Sequence, residues 1–186
     1  MLTAEKKKYT AKDYEMLEEG APFQLIEHDL VMSPAPSLSH QAISRELLKS
    51  ILKFLDQTEN KGEVFYAPID VKFDDGNIFQ PDLIFISEER AHIMGDRVNG
   101  APDMVIEILS PSNGFYDLRV KKDVYEKNGV TEYIVIDPVS KNADLYLLTD
   151  GSYVLSQKAV GDTLLNSVVL PGLKFDLAKI FKHAGN

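Results

Sequence analysis

Apolar residues recur at helical spacing over residues 38–56. Ile43, Leu47 and Ile51 follow one another at intervals of four, which places them on one face of a helix. Ser37 or Ser39 can serve as the N-cap, since a serine hydroxyl satisfies an unpaired backbone N–H of the first turn. The pattern predicts a long amphipathic helix whose apolar face is buried against other elements.

Shorter apolar runs that are bounded by turn residues predict strands. A hairpin is expected over residues 23–32 with its turn near 27–29, and Asp150-Gly151 is a hairpin turn signal between two further strands. Shorter helices are expected over residues 10–20, 115–128 and 175–182. Thr10 and Gly20 are the predicted caps of the first of these. The remaining strands are predicted over residues 63–66, 69–73, 82–87, 104–109, 132–136, 144–148 and 153–157.

The order of these elements is helix and hairpin, long helix, strand meander, helix, and strands again. It predicts an α/β (α+β) fold, with a mixed central sheet flanked by helices and an N-terminal helix and hairpin. The order lacks the regular βαβ alternation of a doubly wound fold, and the sequence has no Gly-rich phosphate loop of either common type. A length of 186 residues suits a single domain over residues 1–186.

The composition is that of a soluble globular protein, with 44% hydrophobic and 26% charged residues. There is no cysteine, so disulfides and thiolate metal sites are excluded, which fits a reducing cytoplasm. Residues 1–8 lack the apolar region of a secretory signal. No apolar run approaches the roughly 20 residues that span a bilayer. We therefore expect a cytoplasmic protein with no membrane segment.

The formal net charge of −9 disfavours a surface that binds nucleic acid over a wide area, because phosphates are contacted by Lys and Arg. It leaves room for a local basic groove or for a bound divalent cation. Lysines cluster at residues 6–8 and 121–122, and the first cluster is most simply explained as solvated surface charge.

Two acidic residues stand in apolar surroundings. Asp82 opens the run 83–86, and Glu107 shares its predicted strand face with Val105 and Leu109. A buried carboxylate costs several kcal/mol unless a cation, hydrogen bonds or a raised pKa offsets the cost. The alternatives are a Glu107 that faces solvent and an Asp82 that only marks a strand boundary.

Lys121 is the candidate cation for this acid pair. On a helical wheel it lies with Val124 and Tyr125 on the apolar face, whereas Lys122 lies on the opposite side. The competing interpretations are a lysine that extends its ammonium to water, or one that pairs with Asp117 one turn earlier. Two acids and a lysine are the minimum set for a metal-dependent phosphodiesterase.

These motifs resemble the Uma-two (Uma2) family, a group described as "putative restriction endonucleases" in the PD-(D/E)XK nuclease superfamily. The resemblance extends over most of the chain, from the first helix to the strand at 144–148. Its strings are Gln80-Pro81-Asp82, Glu107-x-x-Ser110-Pro111-Ser112, Asp117-x-x-x-Lys121-x-x-x-Tyr125, Gly129-Val130-x-Glu132-Tyr133 and Asp137-Pro138, with His40 on the first long helix.

The resemblance implies a Mg²⁺- or Mn²⁺-dependent endonuclease that acts on DNA, with a homodimer as its assembly. It implies that Asp82 and Glu107 bind the metal, that the carbonyl of Ile108 adds a ligand, and that Lys121 assists the attacking water. The supporting candidates are His40, Gln80, Asp117 and Tyr125.

The sequence departs from the family pattern at two places. The superfamily motif has lysine two residues after the glutamate, where this chain has Leu109, so the lysine would come from the following helix as Lys121. The family hairpin usually reads Asp-Gly-Glu-Leu, whereas residues 27–30 read Glu-His-Asp-Leu and lack the glycine.

Two other functions are compatible with the same residues. One is a non-catalytic module on this fold that binds nucleic acid or another protein, which the acidic balance favours over a general nuclease. The other is a metal-dependent hydrolase of a small phosphorylated substrate. The fold cannot discriminate among the three, because function depends on the site.

Overall fold

The computed structural model describes residues 7–110 and 116–183. The α-helices are α1 (Ala11–Glu15), α2 (Leu38–Asp56), α3 (Lys122–Asn128) and α4 (Leu177–Ile180). A π-helical segment, Tyr116–Lys121, leads into α3, and 3₁₀ segments form over Glu88–Ile93 and Phe181–His183. The strands are β1 (Phe23–Ile26), β2 (Asp29–Met32), β3 (Glu63–Tyr66), β4 (Val71–Asp74), β5 (Asn77–Phe79), β6 (Leu83–Ile86), β7 (Val98–Asn99), β8 (Met104–Ile108), β9 (Glu132–Asp137), β10 (Asn142–Thr149), β11 (Ser152–Val160), β12 (Leu164–Asn166) and β13 (Lys174–Asp176).

The central sheet has the strand order β11-β10-β9-β8-β6-β3. Strands β8 and β9 are parallel and the other neighbours are antiparallel, so the sheet is mixed. A second sheet, β2-β1-β5-β4-β7, packs near one face, and β12 pairs with β13. The predicted α/β (α+β) class with a mixed sheet and flanking helices is confirmed, whereas the single domain over residues 1–186 stays a prediction.

The central sheet is covered on both faces because its middle strands are apolar on both sides. Helix α2 packs Ile43, Leu47 and Ile51 on one face, in a core that includes the C-terminal elements. Helix α3 packs Val124 and Tyr125 on the other face. Glu107 is the penultimate residue of β8, whose five residues are all buried, and Val105 on the same strand belongs to the core on the α3 side.

Helix α2 begins and ends where the apolar spacing predicts, and the Ser37 hydroxyl accepts a hydrogen bond from the backbone N–H of His40. The hairpin is also present, with Ile26 opposite Asp29. Its turn residues Glu27 and His28 have φ values of 49° and 68°, so two residues other than glycine adopt the left-handed conformation there.

Both short terminal helices differ from prediction. Helix α1 keeps Thr10 as its N-cap but ends at Glu15 with Met16 as C-cap, so Gly20 does not cap it. Near the C-terminus, Phe175 lies in β13 opposite Leu165, and the helix starts only at Leu177. Strand pairing satisfies the backbone of Phe175, and this tertiary contact overrides the helical spacing of its sequence. The short strands β5, β7 and β12 were not predicted.

Candidate active site

The predicted site residues meet at a cleft of about 810 Å³ beside β6 and β8. The first turn of α2 forms one wall, and Lys121, at the junction of the π-helical segment with α3, contributes to another. Asp82, Glu107, Ile108 and Lys121 all line this cleft, together with the supporting candidates His40 and Gln80. Residues that are far apart in the sequence are thus brought to one cavity.

Glu107 and Lys121 form a buried ion pair. Lys121 Nζ lies 2.9 Å from Glu107 Oε1, and the exposed fraction of each residue is only 3%. The hydroxyl of Tyr125 donates a second hydrogen bond, of 2.5 Å, to the same oxygen. The glutamate does not face solvent, and the lysine does not extend its ammonium to water. The cost of burying each charge is offset by the other charge and by hydrogen bonds.

Asp82 precedes β6 and is held by two groups. Its Oδ2 atom accepts a 2.7 Å hydrogen bond from the backbone N–H of Ile108 and lies 3.2 Å from His40 Nε2. Oδ1 has no hydrogen-bonding partner among the described residues. Asp82 is therefore oriented by β8 and by α2, so it does more than mark the start of a strand.

His40 contributes the contact between α2 and the acid pair. Burial on its own lowers the pKa of His40, but the hydrogen bond from the imidazole to Asp82 and the charge of Asp82 raise it, assisted by the Ile108 backbone and by Glu107. The resulting pKa lies above the ordinary value for histidine, which favours the imidazolium form. Its Nδ1 atom is buried and has no hydrogen-bond partner in the described part of the chain.

The remaining supporting candidates take different positions. Gln80 lines the cleft, but its Nε2 donates to Asp70 Oδ1 at 3.1 Å and its backbone N–H donates to Gln24 Oε1 at 2.8 Å. Tyr125 acts behind Glu107, as described above. The side chain of Asp117 lies outside the described residues, so its suggested pairing with Lys121 stays a prediction.

The donors fit a hard divalent cation that retains water ligands. Among the side chains that the structure describes, those of residues 7–110 and 119–182, no three from His, Asp or Glu cluster closely enough to form a metal site alone. Asp82, Glu107 and Ile108 nevertheless line the same cleft. Mg²⁺ is usually held by one or two carboxylates and keeps several waters, so this sparse oxygen set suits it.

Several parts of the site had no signal in the sequence. The segment 33–37, which leads into α2, forms part of the wall, and so do Pro138 and Val139 at the end of β9. Gln24 is also in the cleft, and its exposed fraction is 5%. Gln24 stands among apolar residues of a predicted strand, and this could have suggested its role, since buried amides need hydrogen-bond partners.

Comparison with protein families adds a decisive observation. The sequence profile of Uma2, described as "Putative restriction endonuclease", matches residues 11–178. The chain belongs to the Uma2 family. The match includes every residue of the candidate site, from His40 to Tyr125.

The fold of this Uma2 protein is also found in a solved structure. The crystal structure of "a putative nuclease belonging to DUF820" from Anabaena variabilis superposes with a TM-score of 0.76 at 20% sequence identity. The alignment covers 94% of this chain and 98% of that chain. A comparison with curated proteins gives no match. Among the described residues of this Uma2 protein, none of the helices has the length and apolar character needed to cross a membrane.

Proposed function

We propose that this Uma2 protein is a Mg²⁺- or Mn²⁺-dependent endonuclease that hydrolyses phosphodiester bonds of nucleic acid. The observation that carries the proposal is the meeting of Asp82, Glu107, Ile108 and Lys121 at one cleft. Family membership supports a nuclease, and the oxygen donors support a divalent cation. Asp82, Glu107 and the Ile108 carbonyl would hold the ion, which when bound polarises the scissile phosphate and lowers the pKa of water.

Each side chain of the site has a distinct task in this proposal. The ammonium of Lys121, positioned by Glu107, orients the attacking water and stabilises the negative charge that develops on the phosphoryl oxygens. Tyr125 belongs to α3, on the face of the sheet opposite α2, and its hydroxyl fixes the Glu107 carboxylate. The Ile108 N–H and His40 hold Asp82 Oδ2, so Oδ1 is the atom of Asp82 that is directed to a ligand.

The test is Mn²⁺- and Mg²⁺-dependent cleavage of plasmid and single-stranded DNA by the wild type, Glu107→Gln and Lys121→Ala. We expect both variants to lose more than about 100-fold in rate, the upper end of what partners around a metal cost. Glu132→Gln is the matched control, since Glu132 is equally buried but does not line the cleft. Circular dichroism checks that each variant folds.

Equal cleavage by all three proteins would overturn the site assignment, and no cleavage by the wild type would favour the non-catalytic module. Calorimetric titration with Mn²⁺ gives an independent readout, because Asp82→Ala should lose affinity if Asp82 is a ligand. We also propose, from the family resemblance and the cysteine-free composition, a cytoplasmic homodimer with twice the 20.8 kDa mass of one chain.

A further inference from the structure

The size of the cleft limits what can be bound beside Asp82 and Glu107. Its volume of about 810 Å³ falls within the 300–1,000 Å³ that is typical of pockets for small molecules. The acid pair and Lys121 are part of its wall, so the scissile phosphate would lie within this cleft. The nucleosides on either side of that phosphate would occupy most of the remaining space.

Uncharged polar side chains from the start of α2 form part of the cleft wall. Ser37, Ser39, Gln41 and Ser44 come from the start of α2, and all four line the cleft. Hydroxyl and amide groups such as these can donate to and accept from sugars and base edges. The ring of Tyr66, which is 59% exposed, stands at the same cleft and offers a surface on which a base can stack.

A second groove, of about 820 Å³, adjoins the cleft and is acidic. The two cavities share Tyr66, the Ala67-Pro68 segment and Gln80. Five carboxylates line the second groove against a single arginine: Glu15, Glu18, Glu19, Asp70 and Asp96, with Arg97.

The basic side chains near this groove are already paired. Arg97 Nη1 and Lys72 Nζ each lie 3.4 Å from Glu15 Oε1. Glu18 and Glu19 are exposed and form no salt bridge with any described residue. The groove therefore presents net negative charge to anything that extends out of the cleft on that side.

This charge distribution discriminates between double and single strands. A duplex carries one negative charge per roughly 1.7 Å of its axis, and it is too stiff to turn away from a repulsive surface within a few base pairs. Phosphates beyond the cleft would lie within about 8 Å, the screening distance at physiological salt, of the acidic groove. A short strand ends before it reaches the groove, or bends away from it.

We propose that the substrate of this site is a short single-stranded oligonucleotide, in which the scissile phosphate and its two flanking nucleosides fill the cleft, and not a duplex. This inference rests on the proposed nuclease function. Recognition would come from base stacking on Tyr66 and from hydrogen bonds of the serine and glutamine wall, with few contacts to neighbouring phosphates.

The experiment compares cleavage of a dinucleotide, a 20-nucleotide single strand, the same sequence as a duplex, and supercoiled plasmid. All four are incubated with the wild type and Glu107→Gln in Mn²⁺ at physiological salt. We expect the wild type to cut the dinucleotide and the single strand at least about tenfold faster per bond than the duplex, given the electrostatic cost above. Glu107→Gln should cut none of them.

Faster cleavage of duplex or plasmid than of the dinucleotide would overturn the substrate inference while the nuclease function stands. Cleavage of none of the four substrates would overturn the nuclease function itself, and the inference with it. The two failures are therefore distinguishable in one experiment.

A charge-reversal variant tests the cause. Glu18→Lys with Glu19→Lys should speed duplex cleavage and leave dinucleotide cleavage unchanged. The affinity for duplex should also fall more steeply with salt concentration, by the amount expected for about two additional phosphate contacts. Glu59→Lys with Asp162→Lys makes the same change in net charge at exposed positions outside both cavities. If the two double variants cut duplex equally, the acidic groove does not select the substrate and the inference is wrong.

Discussion

Replacement of Lys121 by methionine should destabilise the fold as well as remove activity. Lys121 Nζ lies 2.9 Å from Glu107 Oε1, and both residues are 3% exposed. Methionine keeps most of the volume of the lysine stem but removes the charge. Glu107 then remains as a buried carboxylate that accepts a hydrogen bond from the Tyr125 hydroxyl but has lost its ammonium partner.

The expected size of the effect follows from this burial. Removal of one partner of a buried ion pair costs about 3–5 kcal/mol, because the remaining charge is desolvated without compensation. For a chain of 186 residues this corresponds to a fall in Tm of about 6–20 °C. The double variant Lys121→Met/Glu107→Gln should recover most of the loss, since the amide carries no charge.

Urea denaturation at pH 7 in the presence of EDTA gives the free energies of unfolding of the wild type, both single variants and the double variant. Lys122→Met is the matched control, because Lys122 contacts the Tyr146 ring from 3.8 Å and this contact is worth about 1 kcal/mol. A Lys121→Met protein within about 1 kcal/mol of the wild type would refute the reasoning, and so would a double variant that is less stable than Lys121→Met.

Two other carboxylate contacts give further predictions. Burial raises the pKa of Glu132 despite hydrogen bonds from Val169, Val168 and Ser167 that lower it. The native state therefore binds the Glu132 proton more tightly than the unfolded state does. The stability that this protonated group contributes is fully present below the pKa of Glu132 in the unfolded state, and it is lost as pH rises through the pKa in the folded state. The unfolding free energy of the wild type minus that of Glu132→Gln should accordingly fall as pH rises above the ordinary pKa of glutamate, and a rise would contradict the burial argument. Tyr125→Phe should lower the unfolding free energy by about 1–3 kcal/mol, since it removes a donor from buried Glu107, and urea titration beside Tyr66→Phe as an exposed control measures it.

Local patterns of the sequence contain much of the fold. Helix α2 and its Ser37 cap follow from apolar spacing and from one hydroxyl, both of which act within a few residues. Gly129 likewise ends α3 with a φ of 85°, which suits a residue without a side chain. Alternation along β8 places Glu107 on the face of Val105, and the helical wheel places Lys121 with Tyr125. These predictions succeed because each depends on the geometry of one element.

Local sequence patterns did not predict the contacts between elements. The ends of α1 and of the C-terminal helix depend on strand and core partners from distant segments, so local spacing overestimated both helices. The position of His40 against Asp82 depends on how α2 lies relative to the start of β6, which no spacing along the chain encodes. The adjoining acidic groove is also assembled from segments near residues 15–19, 70 and 96–97.

The sequence by itself determined the amphipathic helix, the strand faces, the placement of Lys121 and not Lys122 on the buried face, and the family. Tertiary structure decided that Glu107, Lys121 and Tyr125 form one buried cluster, that Asp82 is held by His40 and by the backbone of Ile108, and that Asp82, Glu107 and Lys121 line one cleft. The physical reason is that side-chain periodicity is a property of a single element. Burial and charge pairing, by contrast, arise only when elements from distant parts of the chain pack together.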